Sequence, residues 1–182
     1  MGENKAFIQI DGIPIIQRIY HLFNTLFTEV MIVTNEMELF KNFQATIHSD
    51  LIPDRGALGG LYSGIFYSSS SHAFCVGCDM PFLKAPIIRY LIDRIEDNDV
   101  IVPKTKDGLH PLHAIYSKDC LIPIRAMMNQ GKYKIIDFYA RVKVKTIDED
   151  EFRPLDPTLE SFINVNTPEE LLLIKSKRFS QR

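Results

Sequence analysis

Cysteine occurs only three times among the 182 residues. A small, odd number argues against a disulfide framework, so the expected location is the reducing cytoplasm. Neither sign of charge prevails, since 21 basic side chains face 23 acidic ones for a formal net charge of -2. That balance offers no bulk attraction to nucleic acid or to a membrane surface, and neither is expected as a partner. An anionic ligand must instead be held by individually placed cations and backbone amides. No apolar run reaches the roughly 20 residues that a membrane-spanning helix needs. The first residues also lack the charged and apolar regions of a signal peptide. Met1-Gly2 has the start of a myristoylation signal, but Ala6 stands where that signal carries Ser or Thr. Repeats and linkers are missing as well, and the one low-complexity run, Ser68 to Ser71, reads as a loop after a helix.

What is present is a chain with 46% hydrophobic and 24% charged residues, enough to bury one sizeable core. Residues 1–182 are therefore expected to form one domain. Residues 6–10 read as a short strand that ends in the Asp11-Gly12 turn. Ile15, Ile16, Ile19, Leu22, Phe23 and Leu26 then recur at the spacing of one helical face, with Pro14 suited to the first turn. The run Val30 to Val33 is a strand buried on both faces, followed by Asn35 as the cap of a helix that carries Met37, Leu39, Phe40 and Phe43. The alternation continues with a strand at 45–48, a glycine-rich loop and helix 58–68. Ala73 to Gly77 forms a further strand, and a helix runs from Pro86 through Ile95. Strands at 100–102, 114–116 and 142–147, helical segments at 118–130 and 134–140, and a last helix at 168–177 complete the reading. Such alternation predicts a three-layer α/β/α fold with a mostly parallel, Rossmann-like sheet.

Ligands in such sheets sit outside the carboxyl ends of the strands, so polar residues just past the apolar runs are the candidates. In AFCVGCDMPFL, Asp79 directly follows a buried strand. A carboxylate there either binds a hard cation that bridges to phosphate oxygens, or caps the turn before the next helix. In SDLIPDRGALGGLYSG, Asp50 ends a strand and Gly56, Gly59, Gly60 and Gly64 surround a helix start. Those glycines admit a ligand to the backbone amides, or let the helix pack closely on the sheet. Lys5 can serve as a point charge for phosphate or remain a solvated lysine. In FINVNTPEELLLI, Asn166 or Thr167 caps a helix that has Glu169 and Glu170 near its positive end, while the asparagines could also offer an amide oxygen to a metal. Cys75 and Cys78 have redox or zinc spacing, yet only Cys120 remains to complete a site. His110 and His113 likewise lack an evident third ligand, which leaves core or substrate contact.

These pieces form an ordered set. Met1-Gly2-Glu3-Asn4-Lys5, Asp11-Gly12, Asp50 with the RGALGG stretch, Cys78-Asp79-Met80-Pro81, His110-Pro111-Leu112 and the final NVNTPEEL together resemble the molybdenum cofactor guanylyltransferase family. The resemblance runs through nearly the whole chain. It implies a fold of the nucleotide-diphospho-sugar-transferase type, and transfer of GMP from GTP onto the terminal phosphate of molybdopterin carrying molybdenum, with Mg²⁺ required. Asp79 matches the aspartate that binds Mg²⁺ and the nucleotide phosphates, Lys5 the lysine closing the phosphate loop, and Asp50 the aspartate associated with the guanine nucleotide. Asn166 is similar to the position that helps hold metal or substrate phosphate, and His110 and Pro111 fall where the pterin substrate is expected. GTP and molybdopterin are thus the implied partners, with molybdoenzymes or other cofactor-synthesis proteins beyond them.

The family's phosphate loop reads Leu-Ala-Gly-Gly-x-Ser-x-Arg-Met-Gly-x-x-Lys, and the present sequence starts at its Met-Gly. The expectation is a domain short at its N-terminus, with the usual first strand absent, an unfilled or altered central position in the sheet and impaired GTP binding. Two other functions stay open: a cytidylyl- or other nucleotidyltransferase acting on a related acceptor, and a non-catalytic molybdopterin-binding module without the phosphate loop.

Overall fold

The computed structural model of the chain describes residues 4–167 together with Glu169, Glu170 and Leu172. Near the start, the Asn4 side chain accepts the Ala6 amide at 3.1 Å and bends Lys5–Phe7 into a 3-10 turn. Strand β1 (Gln9–Ile10) then pairs antiparallel with β2 (Ile13–Pro14) across Asp11 and Gly12, whose φ values of 52° and 79° suit a tight hairpin turn. The strand expected over 6–10 is therefore only its last two residues, because the Asn4 cap diverts the rest. Helix α1 (Ile15–Asn24) follows with Ile15, Ile16 and Ile19 buried.

Strand β3 (Met31–Val33) pairs parallel with β4 (Thr46–His48). Between them, residues Met37–Phe40 make a 3-10 turn in place of a full helix. Helix α2 spans Gly56–Tyr67, β5 His72–Val76, and α3 Ala85–Ile92. Strand β6 (Val100–Thr105) turns through the short β7 (Gly108–Leu109) into β8 (His113–Ser117). A 3-10 turn at Lys118–Cys120 leads into α4 (Leu121–Asn129), and a second at Ile135–Arg141 precedes β9 (Val144–Asp148) and α5 (Glu149–Phe152). Glu169, Glu170 and Leu172 are helical, and the rest of the helix expected at 168–177 lies outside the described residues.

In the main sheet β8 lies between β5 and β6 and runs antiparallel to both, while β9 pairs parallel with β6. Strands β5, β6 and β9 thus share one direction. Alternation along the strands builds the two helical layers. Val100, Val102, Ala114 and Tyr116 pack with Leu58, Leu61 and Ile65 of α2 and Ile124 and Met127 of α4. Ile101, Ile115 and Ile147 point the other way, onto Ile87 and Leu91 of α3 and Phe152 of α5. Each buried Val, Leu, Ile, Met or Phe side chain among these contributes roughly 1.5–3 kcal/mol.

The sheet is divided. β3 pairs with β4 and β5 pairs with β8, but β3 and β5 do not pair with each other, although α2 packs on both. Between them lies a cavity of about 340 Å³ whose wall includes Val30, Val33, Phe74 and Val76.

Candidate functional site

The end of β5 is shaped by Gly77. Its N–H donates to the Leu112 carbonyl at 3.1 Å, tying the strand end to the loop that carries His110 and Pro111. A Cβ at this position would lie 2.6 Å from Asp79 Oδ1, closer than real side chains approach. Only glycine lets the Asp79 carboxylate fold back over the strand end. Helix α3 begins at Ala85 with Lys84 as its N-cap residue, so Asp79 does not cap it.

The Asp79 carbonyl accepts the Val165 amide at 2.7 Å, which brings the C-terminal segment alongside. Asn166 follows directly, and its Oδ1 accepts Lys5 Nζ at 2.8 Å. At the Cys78 thiol, desolvation pushes the pKa up, Asp79 acts in the same direction, and Lys5 opposes. Lys5, Asp79 and Asn166, far apart in sequence, therefore meet at the carboxyl end of β5. Thr167 rather than Asn166 is the cap of the last helix. Its Oγ1 accepts the Glu170 amide at 3.2 Å, while Glu170 Oε2 accepts the Asn166 N–H at 2.7 Å.

Asp50 stands past the end of β4, braced by Asn35. Asn35 Nδ2 donates to Asp50 Oδ2 at 3.0 Å, and the Asp50 N–H donates to Asn35 Oδ1 at 3.1 Å. Asn35, expected to cap a helix, instead spends both ends of its amide on Asp50, and Glu36 occupies the cap position. Glu36 Oε2 in turn accepts Asn4 Nδ2 at 2.6 Å, linking the Asp50 pair to the residue beside Lys5. Of the glycines at the start of α2, only Gly59 is tightly packed. A Cβ at Gly59 would meet the Ile52 carbonyl at 3.2 Å, and one at Gly60 would face Asp50 Oδ1 at 3.7 Å. No side chain caps the amides at the α2 start.

His110 shares a 2.8 Å hydrogen bond between its Nε2 and Thr105 Oγ1, and its ring lies 4.9 Å from that of Phe162. Burial lowers its pKa, partly offset by Asp107, so the imidazole is neutral at pH 7. The Pro111 carbonyl accepts the Tyr116 hydroxyl at 2.6 Å. His113 is fully buried, with Nδ1 donating to the Ser161 carbonyl at 3.1 Å, and belongs to the core. Cys75 and Cys120 sit in apolar surroundings that push both thiols up to about 12, which leaves them unreactive at neutral pH.

Among the described residues no three His, Cys, Asp or Glu side chains cluster as a metal cage. Asp79 is the carboxylate at this strand end that could hold a hard cation such as Mg²⁺, with phosphate oxygens and water as further donors. The bracing roles of Asn4, Asn35 and Glu36 were not read from the sequence. The only local signal for them is their position, immediately before Lys5 and immediately after β3.

An acid, a lysine and an amide thus lie past one strand end. Residues 1–144 match the MobA-like NTP transferase domain, and the chain belongs to that family. It is 39% identical over 171 residues to a molybdenum cofactor guanylyltransferase of Desulfosudis oleivorans, covering 93% of this chain and 85% of that protein. A probable molybdenum cofactor guanylyltransferase of Pelotomaculum thermopropionicum is 33% identical over 172 residues, covering 94% and 84%. The crystal structure of molybdopterin-guanine dinucleotide biosynthesis protein A from Archaeoglobus fulgidus superposes with a TM-score of 0.84 at 25% identity, over 97% of this chain and 92% of that one. A Thermus thermophilus 2-C-methyl-D-erythritol 4-phosphate cytidylyltransferase, at 13% identity and a TM-score of 0.71, shares the fold over 96% and 93%. No helix among the described residues is long and apolar enough to cross a membrane.

Proposed function

We propose that this nucleotidyltransferase moves GMP from GTP onto the terminal phosphate of molybdopterin carrying molybdenum, releasing pyrophosphate. The observation that carries the reading is the meeting of Lys5, Asp79 and Asn166 at one strand end that is bonded, through Gly77, to the loop of His110 and Pro111. One side of that strand end supplies charge for polyphosphate, and the other supplies a neutral imidazole and apolar surface for a flat heterocycle.

An oxygen of the acceptor phosphate attacks the α-phosphorus of GTP. The bond from that phosphorus to the bridging oxygen breaks, and its electron pair leaves with pyrophosphate. The acceptor is already ionised at pH 7, so no side chain is needed to remove a proton. Lys5 places a positive charge against the phosphates as negative charge shifts toward the leaving group, and Asn166 fixes the direction of that ammonium. Asp50, held by Asn35, presents a carboxylate able to accept hydrogen bonds from a guanine edge or a ribose. Asp79 would hold Mg²⁺, which supplies neutralisation of the phosphate oxygens when bound. Residues 1–182 act in this reading as one catalytic domain.

The test uses GTP labelled on its α-phosphate, with molybdopterin and Mg²⁺. Label is expected in the guanine dinucleotide, with one pyrophosphate released per transfer, and excess CTP should compete weakly. Label that stays in GTP, or transfer from CTP at equal rate, contradicts the assignment.

A further inference from the structure

Two histidines stand three residues apart in the loop and strand that follow β7, and their ring nitrogens are used in opposite ways. His113 donates from Nδ1 to the Ser161 carbonyl at 3.1 Å, and its Nε2 is sealed in the core without a partner. His110 instead bonds through Nε2, to Thr105 Oγ1 at 2.8 Å. Its Nδ1 makes no hydrogen bond with a described residue, and it is not among the buried unpartnered atoms, which are Arg18 Nε, His113 Nε2 and Ser161 Oγ. That nitrogen is open to a ligand. The main chain holds the ring in place from both sides: the His110 N–H donates to the Pro103 carbonyl at 2.9 Å, and the His110 carbonyl accepts the His113 amide at 3.0 Å.

Thr105 decides where the imidazole proton lies. The Asp107 N–H donates to Thr105 Oγ1 at 3.2 Å, so the hydroxyl already serves as an acceptor. Thr105 is only 6% exposed, and its own proton must find an acceptor inside the protein. Among the described residues His110 Nε2 is the acceptor it meets. A hydroxyl that donates to Nε2 needs the lone pair there, which puts the proton of the neutral ring on Nδ1. The reverse arrangement, with Nε2–H donating to Oγ1, would leave a buried hydroxyl proton unsatisfied.

We propose that Thr105 is a positioning residue that fixes the His110 proton on Nδ1, from which the ring donates to an oxo oxygen of the substrate heterocycle and selects it over an amino counterpart. The inference rests on the placing of a flat heterocycle beside His110 in the proposed reaction. An oxo oxygen accepts from Nδ1–H, whereas an amino group in its place sets donor against donor.

The tautomer is read by NMR of the ring nitrogens in isotope-labelled protein at neutral pH. The His110 proton is expected on Nδ1, and a proton on Nε2 would overturn the proposal. Thr105→Val removes the hydroxyl and should move the proton at least partly to Nε2, while Thr105→Ser should return it to Nδ1. A proton that stays on Nδ1 in the valine variant would show that Thr105 does not set it. Binding is measured with two fluorescent probes: pterin, which carries the oxo oxygen, and diaminopteridine, in which an amino group replaces it. The unaltered protein should bind pterin on the order of tenfold more tightly, and Thr105→Val should erase most of that preference. No binding of pterin, or equal binding of the two probes, would overturn the proposal. Neither measurement involves GTP, so absence of GMP transfer with both results as expected would refute the proposed reaction and leave this assignment standing.

Discussion

Lys5 Nζ and Asn166 Oδ1 lie 2.8 Å apart although 161 residues separate them in the chain. The contact joins the 3-10 turn at the start of the fold to the segment that runs beside Asp79. It aims one ammonium at the strand end where phosphates are proposed to bind. Lys5→Met is expected to lower the rate of GMP transfer on the order of a hundredfold, the usual scale for losing one electrostatic stabiliser. Asn166→Ala should cost less, roughly tenfold, since the charge survives without its direction. A double variant no worse than Lys5→Met alone would establish the coupling, and fully additive losses would refute it.

Gly77→Ala tests the site without touching a charged group. The added methyl would stand 2.6 Å from Asp79 Oδ1 and must push the carboxylate aside. Turnover is predicted to fall at least tenfold while the melting temperature moves by only a few degrees. Normal turnover would mean that the carboxylate's position over the strand end is immaterial.

A partly buried ion pair holds the segment leading to Asn166. Lys84 Nζ donates to Asp156 Oδ1 at 2.5 Å, and Asp156, fully buried, also accepts the Ser161 amide at 2.8 Å. Burial alone would raise the Asp156 carboxyl, but the Lys84 ammonium and the Ser161 amide outweigh it and hold the pKa low. Lys84→Met strands that charge and should cost about 3 kcal/mol in urea unfolding, read as a lower midpoint at unchanged slope. A shift below about 1 kcal/mol would contradict this account.

Acid stability should depend on His113. Full burial depresses its pKa to about 3, with His110 acting in the same direction and the Ser161 carbonyl and Asp156 opposing. The native state therefore keeps His113 neutral where the unfolded chain protonates it. Stability is complete above the unfolded value near 6.5 and is lost as pH falls toward 3, by up to about 1.4 kcal/mol per pH unit. His113→Phe, which suits a position flanked by the Phe74 and Phe162 rings at 5.4 and 4.9 Å, should flatten that slope in urea midpoints from pH 6.5 to 4.5. An unchanged slope would place the acid sensitivity elsewhere.

Much of this arrangement could be read from the chain because strands buried on both faces leave continuous apolar runs. The segments around β3, β5 and β8 were read within a residue or two, as were the Asp11-Gly12 turn and helices α1 and α2. Asp79, Lys5 and Asn166 could be singled out because each sits just outside an apolar segment, but that they lie near one strand end is shown only by the folded chain. Two features were not legible. The antiparallel sense of β8 depends on the short β7 turn, which hydropathy does not mark. Asn35 looked like a helix cap because capping and bracing a carboxylate use the same amide.

The most direct test of the proposed chemistry is the rate of GMP transfer from α-labelled GTP to molybdopterin by the Asp79→Ala protein, with circular dichroism confirming that it is folded. The account predicts a loss of at least a thousandfold with the fold unchanged. Turnover within a few-fold of the unaltered protein would contradict it.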